Sequence, residues 1–196
     1  MGRHCVWIFF LLVLPVSVED SRLHMSLAQQ PTGLVIPLYL YPANIHTNPA
    51  YNKLIDLKLS HPTVPVCVIM NPDNGPGKQA DANYTHAVRR LHGAGCVVLG
   101  YVSTSYAKVP LETVIADTNR WREFYDVIDG IFLDEQAYDA DEAHVSYYEK
   151  ATRHAHERGY WPVFANPGTN QIEPYFQRPT ADWTLRLSAR STTSTA

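Results

Sequence analysis

Cysteine is scarce in this sequence, which has three among its 196 residues: Cys5, Cys67 and Cys96. So few cysteines exclude a scaffold held together by many disulfides. Cys67 and Cys96 have no histidine or acidic neighbours at the spacing of metal ligands, and no nucleotide-binding motif is present, so we expect neither a metal nor a cofactor. Both lie in apolar runs, which favours buried free thiols, while an oxidising compartment leaves a bridge between them open.

Excess positive charge and long hydrophobic runs are also absent. Lysine and arginine total 16 against 19 acidic residues, for a net charge of -3. No basic stripe interleaves with aromatic residues, so nucleic acid is not an expected partner. The apolar run Val6–Leu14 is shorter than the ~20-residue helix that spans a bilayer. Because Arg3 and His4 precede this run, we interpret residues 1–18 as a signal peptide, whose removal leaves no transmembrane span.

The next segment, residues 19–32, is a polar lead-in without periodicity. Further along, the triplet Asn83-Tyr84-Thr85 is a glycosylation sequon, which fits a protein that passes through the secretory pathway. We therefore expect a secreted or cell-surface protein, and we expect it to be a monomer.

Short apolar runs alternate with helical patterns from Gly33 onward. These runs end near Tyr41, Asn71, Val102, Asp134 and Asn166. Such alternation predicts β/α units that build a parallel sheet. Eight units need ~250 residues to close a barrel of the TIM type, and this chain supplies about six.

Six units fit either an open six-stranded sheet or an incomplete TIM-type (β/α) barrel. After Leu185 the apolar pattern gives way to serine, threonine and alanine, and no helix follows to cover the sixth strand. This ending favours the barrel in a truncated, alternatively spliced or frameshifted chain. We therefore predict an α/β barrel domain over residues 33–187 and a disordered tail over residues 188–196.

The stretch VIDGIFLDEQ, Val127 to Gln136, combines a buried-strand pattern with two adjacent acids. Its apolar residues predict a strand of a parallel sheet that ends at Asp134 and Glu135. Acids in this position either cap the following helix or take part in a site, because β/α barrels place their chemistry at the carboxyl ends of their strands.

Other polar residues favour a site, because they also fall at predicted strand ends. In a parallel barrel all of them share one face with Asp134 and Glu135. We expect six of them to contact a substrate: Tyr39, Tyr41, Asn71, Tyr101, Thr104 and Asn166.

Five motifs carry a family resemblance: VIPLYLYP, VIMNPDNGPG, VVLGYVSTSY, GIFLDE and FANPGT. In this order and spacing the sequence resembles the spherulin-4 (spherulation-specific) family of secreted or cell-surface proteins. The family includes fungal glycoside hydrolases with β/α barrels that act on galactosaminogalactan, a polymer containing α-1,4-linked N-acetylgalactosamine. The resemblance therefore implies an endo-acting hydrolase of an amino-sugar polysaccharide, with Asp134 and Glu135 as its catalytic acids.

The family pattern also places a third acid after the sixth strand, in an Ala-Asp-…-Phe-Glu segment. Ala181-Asp182 matches its start, but the expected Phe-Glu falls at Leu187-Ser188, so the acid is absent. This departure leaves open a second hypothesis, a carbohydrate-binding surface protein that does not cut its ligand.

Glycoside hydrolysis uses one carboxyl group to protonate the leaving oxygen and a second as nucleophile or base. We assign Glu135 as the general acid and Asp134 as nucleophile, base or electrostatic support; substrate assistance by an N-acetyl group remains an alternative to a protein nucleophile. Because adjacent strand residues point to opposite faces, Glu135 enters the site only if the strand breaks at its end.

Overall fold

The computed structural model describes residues 33–44 and 46–186 of the chain. The predicted signal peptide (1–18), the polar lead-in (19–32) and the tail (188–196) lie outside the described residues. The sheet, the helices on it and the predicted site residues all lie inside them.

Six parallel strands form a single sheet in which every strand pairs with the next one along the chain. The strands are β1 (Leu34–Pro37), β2 (Val66–Met70), β3 (Val97–Ser103), β4 (Gly130–Asp134), β5 (Val163–Asn166) and β6 (Trp183–Thr184). The alternation of strand and helix in a curled sheet confirms an incomplete TIM-type barrel of six units. All six carboxyl ends therefore lie at one edge, which we call the carboxyl edge.

Five helices connect the strands: α1 (Pro49–Ser60), α2 (Ala82–Gly93), α3 (Leu111–Phe124), α4 (Glu142–Glu157) and α5 (Pro174–Gln177). Three of them begin at a residue whose side chain accepts a hydrogen bond from the first turn. These N-caps are Asn48, Asp81 and Asp141, and they satisfy backbone N–H groups that have no partner inside the helix.

The first β/α unit differs from the sequence prediction. The predicted strand runs from Gly33 to Tyr41, but β1 ends at Pro37, which has no N–H to donate to a neighbouring strand. The Asn- and Pro-rich segment that follows contains α1. The sequence does contain the signals for the start of α1: the N-cap residue Asn48 is followed by Pro49, a typical first helical residue.

Part of the core lies between the sheet and its helices, and there the indole of Trp121 on α3 has no exposed surface. Gly100 on β3 makes room for this ring, because a Cβ there would lie 2.6 Å from an indole carbon. The indole Nε1 donates a hydrogen bond to the backbone oxygen of Tyr101 at 2.9 Å. Trp121 therefore anchors α3 to the strand that carries part of the candidate site.

Cys67 on β2 and Cys96 just before β3 are both free thiols. Burial raises the pKa of Cys67 to about 11, so the unreactive thiol is its dominant form at neutral pH. Among the helices that the structure describes, none is long and apolar enough to cross a membrane.

Candidate active site

The carboxylate of Asp134 stands at the end of β4, between the ends of two neighbouring strands. The sheet register aligns Asp134 with Ser103 of β3 on one side and with Asn166 of β5 on the other. The Asn166 amide Nδ2 donates to Asp134 Oδ1 at 2.7 Å. Residues that are 32 positions apart in sequence thus form a direct contact, because parallel strands end at the same edge.

Two tyrosines complete the surroundings of Asp134. Burial raises the pKa of the Tyr101 phenol most, and the nearby Asp134 carboxylate raises it further. The ring of Tyr39 packs edge-on against Tyr101, with centroids 5.9 Å apart. Desolvation, followed by the negative charge of Asp134, raises the pKa of Tyr39 as well. Both phenols therefore stay protonated at neutral pH and can act as hydrogen-bond donors.

Glu135 leaves the extended conformation of β4. Its φ is 55°, in the left-handed region that costs a residue other than glycine roughly 1–2 kcal/mol. This break turns its side chain back toward β3, where Ser103 Oγ donates to Glu135 Oε2 at 3.1 Å. Both adjacent acids thus meet the end of β3, whereas a continued strand would have sent them to opposite faces.

Thr104 lies beneath the two acids. The sequence predicts a substrate contact for Thr104, but the structure gives it no exposed surface. Its hydroxyl lies 2.8 Å from the backbone oxygens of Asp134 and Glu135, and 2.8 Å from the phenol of Tyr148. Thr104 therefore positions the backbone of both acids from below instead of lining the open face.

Asn71 and Tyr41 are engaged in local contacts at the β1 and β2 end of the carboxyl edge. The Asn71 side-chain oxygen accepts from the backbone N–H of Gly75 at 3.0 Å and shapes the loop after β2. The hydroxyl of Tyr41 donates to Asp81 at 3.0 Å and accepts from the amide of Asn83 at 2.8 Å. Tyr41 thus lies over the start of α2, and 52% of its surface remains exposed.

Ser103 is a site residue that the sequence prediction missed. A signal for it exists, because Ser103 stands two positions after Tyr101 on β3 and so shares its face. The side-chain donors that the structure places on the two carboxylates are the amide of Asn166 and the hydroxyl of Ser103. Both of these donors are neutral.

Within residues 33–44 and 46–186, no group of three or more His, Cys, Asp or Glu side chains could hold a metal ion.

The Leu187-Ser188 position expected for a third acid lies outside the described residues. Asp182, at the start of the matching segment, is found at the opposite edge of the sheet. Its Oδ2 accepts from the backbone N–H of Val163 at 2.7 Å and lies 2.9 Å from Nε2 of His156. Asp182 is therefore bonded at the beginning of β5, away from Asp134 and Glu135.

Together the fold and the site define a class, a β/α barrel with a pair of adjacent carboxylates at its carboxyl edge. The family model described as spherulation-specific family 4 matches residues 33–192. The chain belongs to this family.

Two similar proteins span much more sequence than this chain. Spherulin-4 of Physarum polycephalum is 32% identical over 173 residues, which cover 87% of this chain and 49% of that protein. The crystal structure of Aspergillus clavatus Sph3 in complex with GalNAc superposes with a TM-score of 0.67 at 32% identity, over 78% of this chain and 63% of that one. The chain therefore spans about half the length of the curated relative that it matches.

Proposed function

We propose that this protein is a glycoside hydrolase that cleaves within an amino-sugar exopolysaccharide of the α-1,4-N-acetylgalactosamine type. The observation that carries the proposal is the break at Glu135, which brings both adjacent acids to the end of β3. Two carboxyl groups at the carboxyl edge of a β/α barrel are what hydrolysis of a glycosidic bond requires. The Sph3 structure, which contains GalNAc, supports a sugar of this kind as ligand.

The hydrogen bonds support different roles for the two acids. Asn166 donates to Asp134 and the phenol of Tyr101 lies near the same carboxylate, which suits a group that works as an anion, whether as nucleophile, base or electrostatic support. Glu135 has the single side-chain donor Ser103 among the described contacts and suits the general acid that protonates the leaving oxygen.

The test is release of oligosaccharides from galactosaminogalactan by the purified, folded chain. Glu135→Gln and Asp134→Asn should each lower the rate by at least about a hundredfold, because an amide can neither give up a carboxyl proton nor carry its charge. Glu157→Gln, at an exposed position on α4, should leave the rate unchanged. A folded wild-type chain that releases no product would contradict the proposal.

A second candidate function is binding of the same class of polysaccharide without cleavage. It is favoured by the sequence at Leu187-Ser188, which supplies no acid where the family pattern has one. Saturable binding of galactosaminogalactan with no product, and with equal binding by Glu135→Gln, would establish this second function in place of the first.

We also propose that the protein is secreted or held at the cell surface as a monomer. The sequon at Asn83 and the apolar run near the first residue support the location. Expression in a eukaryotic host should place the protein in the medium or on the cell surface, and light scattering should give the mass of one chain. Retention in the cytosol would contradict the proposed location.

A further inference from the structure

Two tyrosines outside the predicted site stand at the carboxyl edge. Tyr106 follows β3 and Tyr138 follows β4, and their exposed fractions are 38% and 52%. Their ring centroids are 6.0 Å apart and their planes meet at 89°. Every other ring pair that the structure describes has at least one member that is not exposed. The Tyr106–Tyr138 pair therefore contributes little to the core.

The backbone that carries Tyr106 is strained. Ser105, Tyr106 and Ala107 all have positive φ, at 44°, 59° and 63°, and left-handed residues other than glycine cost roughly 1–2 kcal/mol each. Strain of this kind persists only where the surroundings enforce it, and it clusters at ligand-binding sites. The strained turn is the first indication that Tyr106 is held in place for a ligand.

The same turn is bonded directly to the segment that holds the acids. The Tyr106 N–H donates to the backbone oxygen of Glu135 at 2.7 Å, and the Val109 N–H donates to that of Thr104 at 3.2 Å. Tyr147 further holds the turn by donating to the Val109 oxygen at 2.8 Å. Tyr106 thus has a fixed position next to Glu135, and Tyr138 lies three residues after Glu135 on the other loop.

We propose that the Tyr106–Tyr138 pair is a second sugar-binding subsite, which holds a pyranose unit of the polysaccharide beyond the unit at the acids. A galacto-configured ring has adjacent C–H bonds on one face that pack on an aromatic ring. Perpendicular rings leave at least one face of each uncovered by the other. Tyrosine is well suited to this role, because it supplies a large contact area and a hydroxyl with few rotatable bonds.

This subsite rests on the proposed function, and it deepens that function by requiring a polymer as ligand. Tyr39 and Tyr101 lie on the Asp134 side of the site, while the Tyr106–Tyr138 pair lies beside Glu135. A monosaccharide bound at the acids contacts only the side chains around them. A longer chain reaches both aromatic pairs, so the affinity should increase with chain length.

The experiment is calorimetric titration of the Glu135→Gln chain, which binds without cleaving, with α-1,4-linked N-acetylgalactosamine from the monosaccharide to the hexasaccharide. Tyr138→Ala in this background should weaken binding of the hexasaccharide by about threefold to tenfold, the effect of losing one aromatic contact. Binding of the monosaccharide should not change. Tyr106→Ala should have the same effect. If the strained turn does not tolerate Tyr106→Ala, the Tyr138→Ala chain alone provides the test.

Trp161→Ala is the matched control, because Trp161 is 65% exposed but stands before β5 at the opposite edge. It should leave both affinities unchanged. Hexasaccharide binding that is equally tight in the Tyr138→Ala and Tyr106→Ala chains, with circular dichroism showing native folds, would overturn the subsite while leaving the proposed function standing. A folded parent chain that binds none of these saccharides would overturn the proposed function and the subsite with it.

Discussion

Thr104 shows how a single buried hydroxyl supports two half-buried acids. It lies within hydrogen-bond distance of three oxygens: the backbone oxygens of Asp134 and Glu135 and the phenol of Tyr148. Tyr148 in turn accepts a bond from the N–H of Ala137 at 2.9 Å. This buried network holds the left-handed break at Glu135, and we therefore treat Thr104 as a positioning residue.

We predict that Thr104→Val lowers the free energy of unfolding by about 1–3 kcal/mol, because it leaves buried polar groups without their partner. It should also reduce the rate of product release more than the affinity for substrate, since the acids would be displaced but the open face retained. Urea unfolding followed by circular dichroism, together with separate kcat and KM values, measures both effects.

Thr118→Val is the control for this prediction, because Thr118 is also buried. Its hydroxyl donates to the backbone oxygen of Val114, one turn earlier in α3. That oxygen keeps its helical N–H partner when the hydroxyl is lost. We expect a cost below about 1 kcal/mol and unchanged kcat. Equal effects of the two substitutions would show that Thr104 has no special role at the acids.

At the scale of the elements, one arrangement occurs twice at the edge opposite the acids. Asp129, just before β4, accepts from the Val98 N–H at 2.7 Å and lies 3.2 Å from the His92 ring at the end of α2. Asp182, just before β6, makes the same contacts with Val163 and with His156 at the end of α4. Each aspartate thus ties the start of the preceding strand to the helix before it.

We predict that Asp129→Ala lowers the free energy of unfolding by about 1–3 kcal/mol, because the N–H of Val98 loses its partner inside the fold. The comparison is Asp126→Ala, three residues earlier in sequence. Asp126 pairs with Arg89 on the surface, where both side chains are 55% exposed, and such pairs contribute about 0–1 kcal/mol. Thermal and urea unfolding of both variants measures the difference, and a smaller loss for Asp129→Ala than for Asp126→Ala would refute the argument.

The elements also show which parts of the fold can be predicted from sequence. The strands that run through the middle of the sheet are buried on both faces, so β2 to β5 appear as continuous apolar runs, and each strand ends within one residue of its predicted end. Helix α1 buries a narrow stripe, Tyr51, Leu54, Ile55 and Lys58, and one member of that stripe is charged. Lys58 can be buried because its ammonium group donates to the backbone oxygens of Pro62 and Val64. A charged residue on the buried face makes the amphipathic pattern of α1 hard to recognise from the sequence.

At the scale of the whole molecule, tyrosine dominates the response to alkaline pH. Nine tyrosines have a raised pKa, and desolvation by burial is the largest cause for each. They are Tyr39, Tyr51, Tyr84, Tyr101, Tyr125, Tyr147, Tyr148, Tyr160 and Tyr175. The folded state thus favours the protonated phenol more than the unfolded state does.

We predict that the contribution of these tyrosines to the free energy of unfolding is fully present below the usual tyrosine pKa of about 10 and is lost as the pH rises above it. The sign follows from linkage: above that pH the unfolded chain binds fewer protons than the folded chain, so ionisation favours unfolding. Urea unfolding at a series of pH values, with the phenolate absorbance recorded in parallel, tests this. Phenolate that forms fully while the near-ultraviolet circular dichroism stays native would contradict it.

The order of the strands, the parallel sheet and the placing of Asp134 and Glu135 at the carboxyl edge follow from local sequence alone. They depend on periodicity and on residues that start and stop elements, which act within a few positions along the chain. The contact between Asn166 and Asp134, the buried position of Thr104 and the bond from Ser103 to Glu135 required the tertiary structure. These contacts join residues about thirty positions apart. Which side chains meet is decided by the register of the sheet and by the left-handed turn at Glu135, and no local pattern in the sequence encodes either of them.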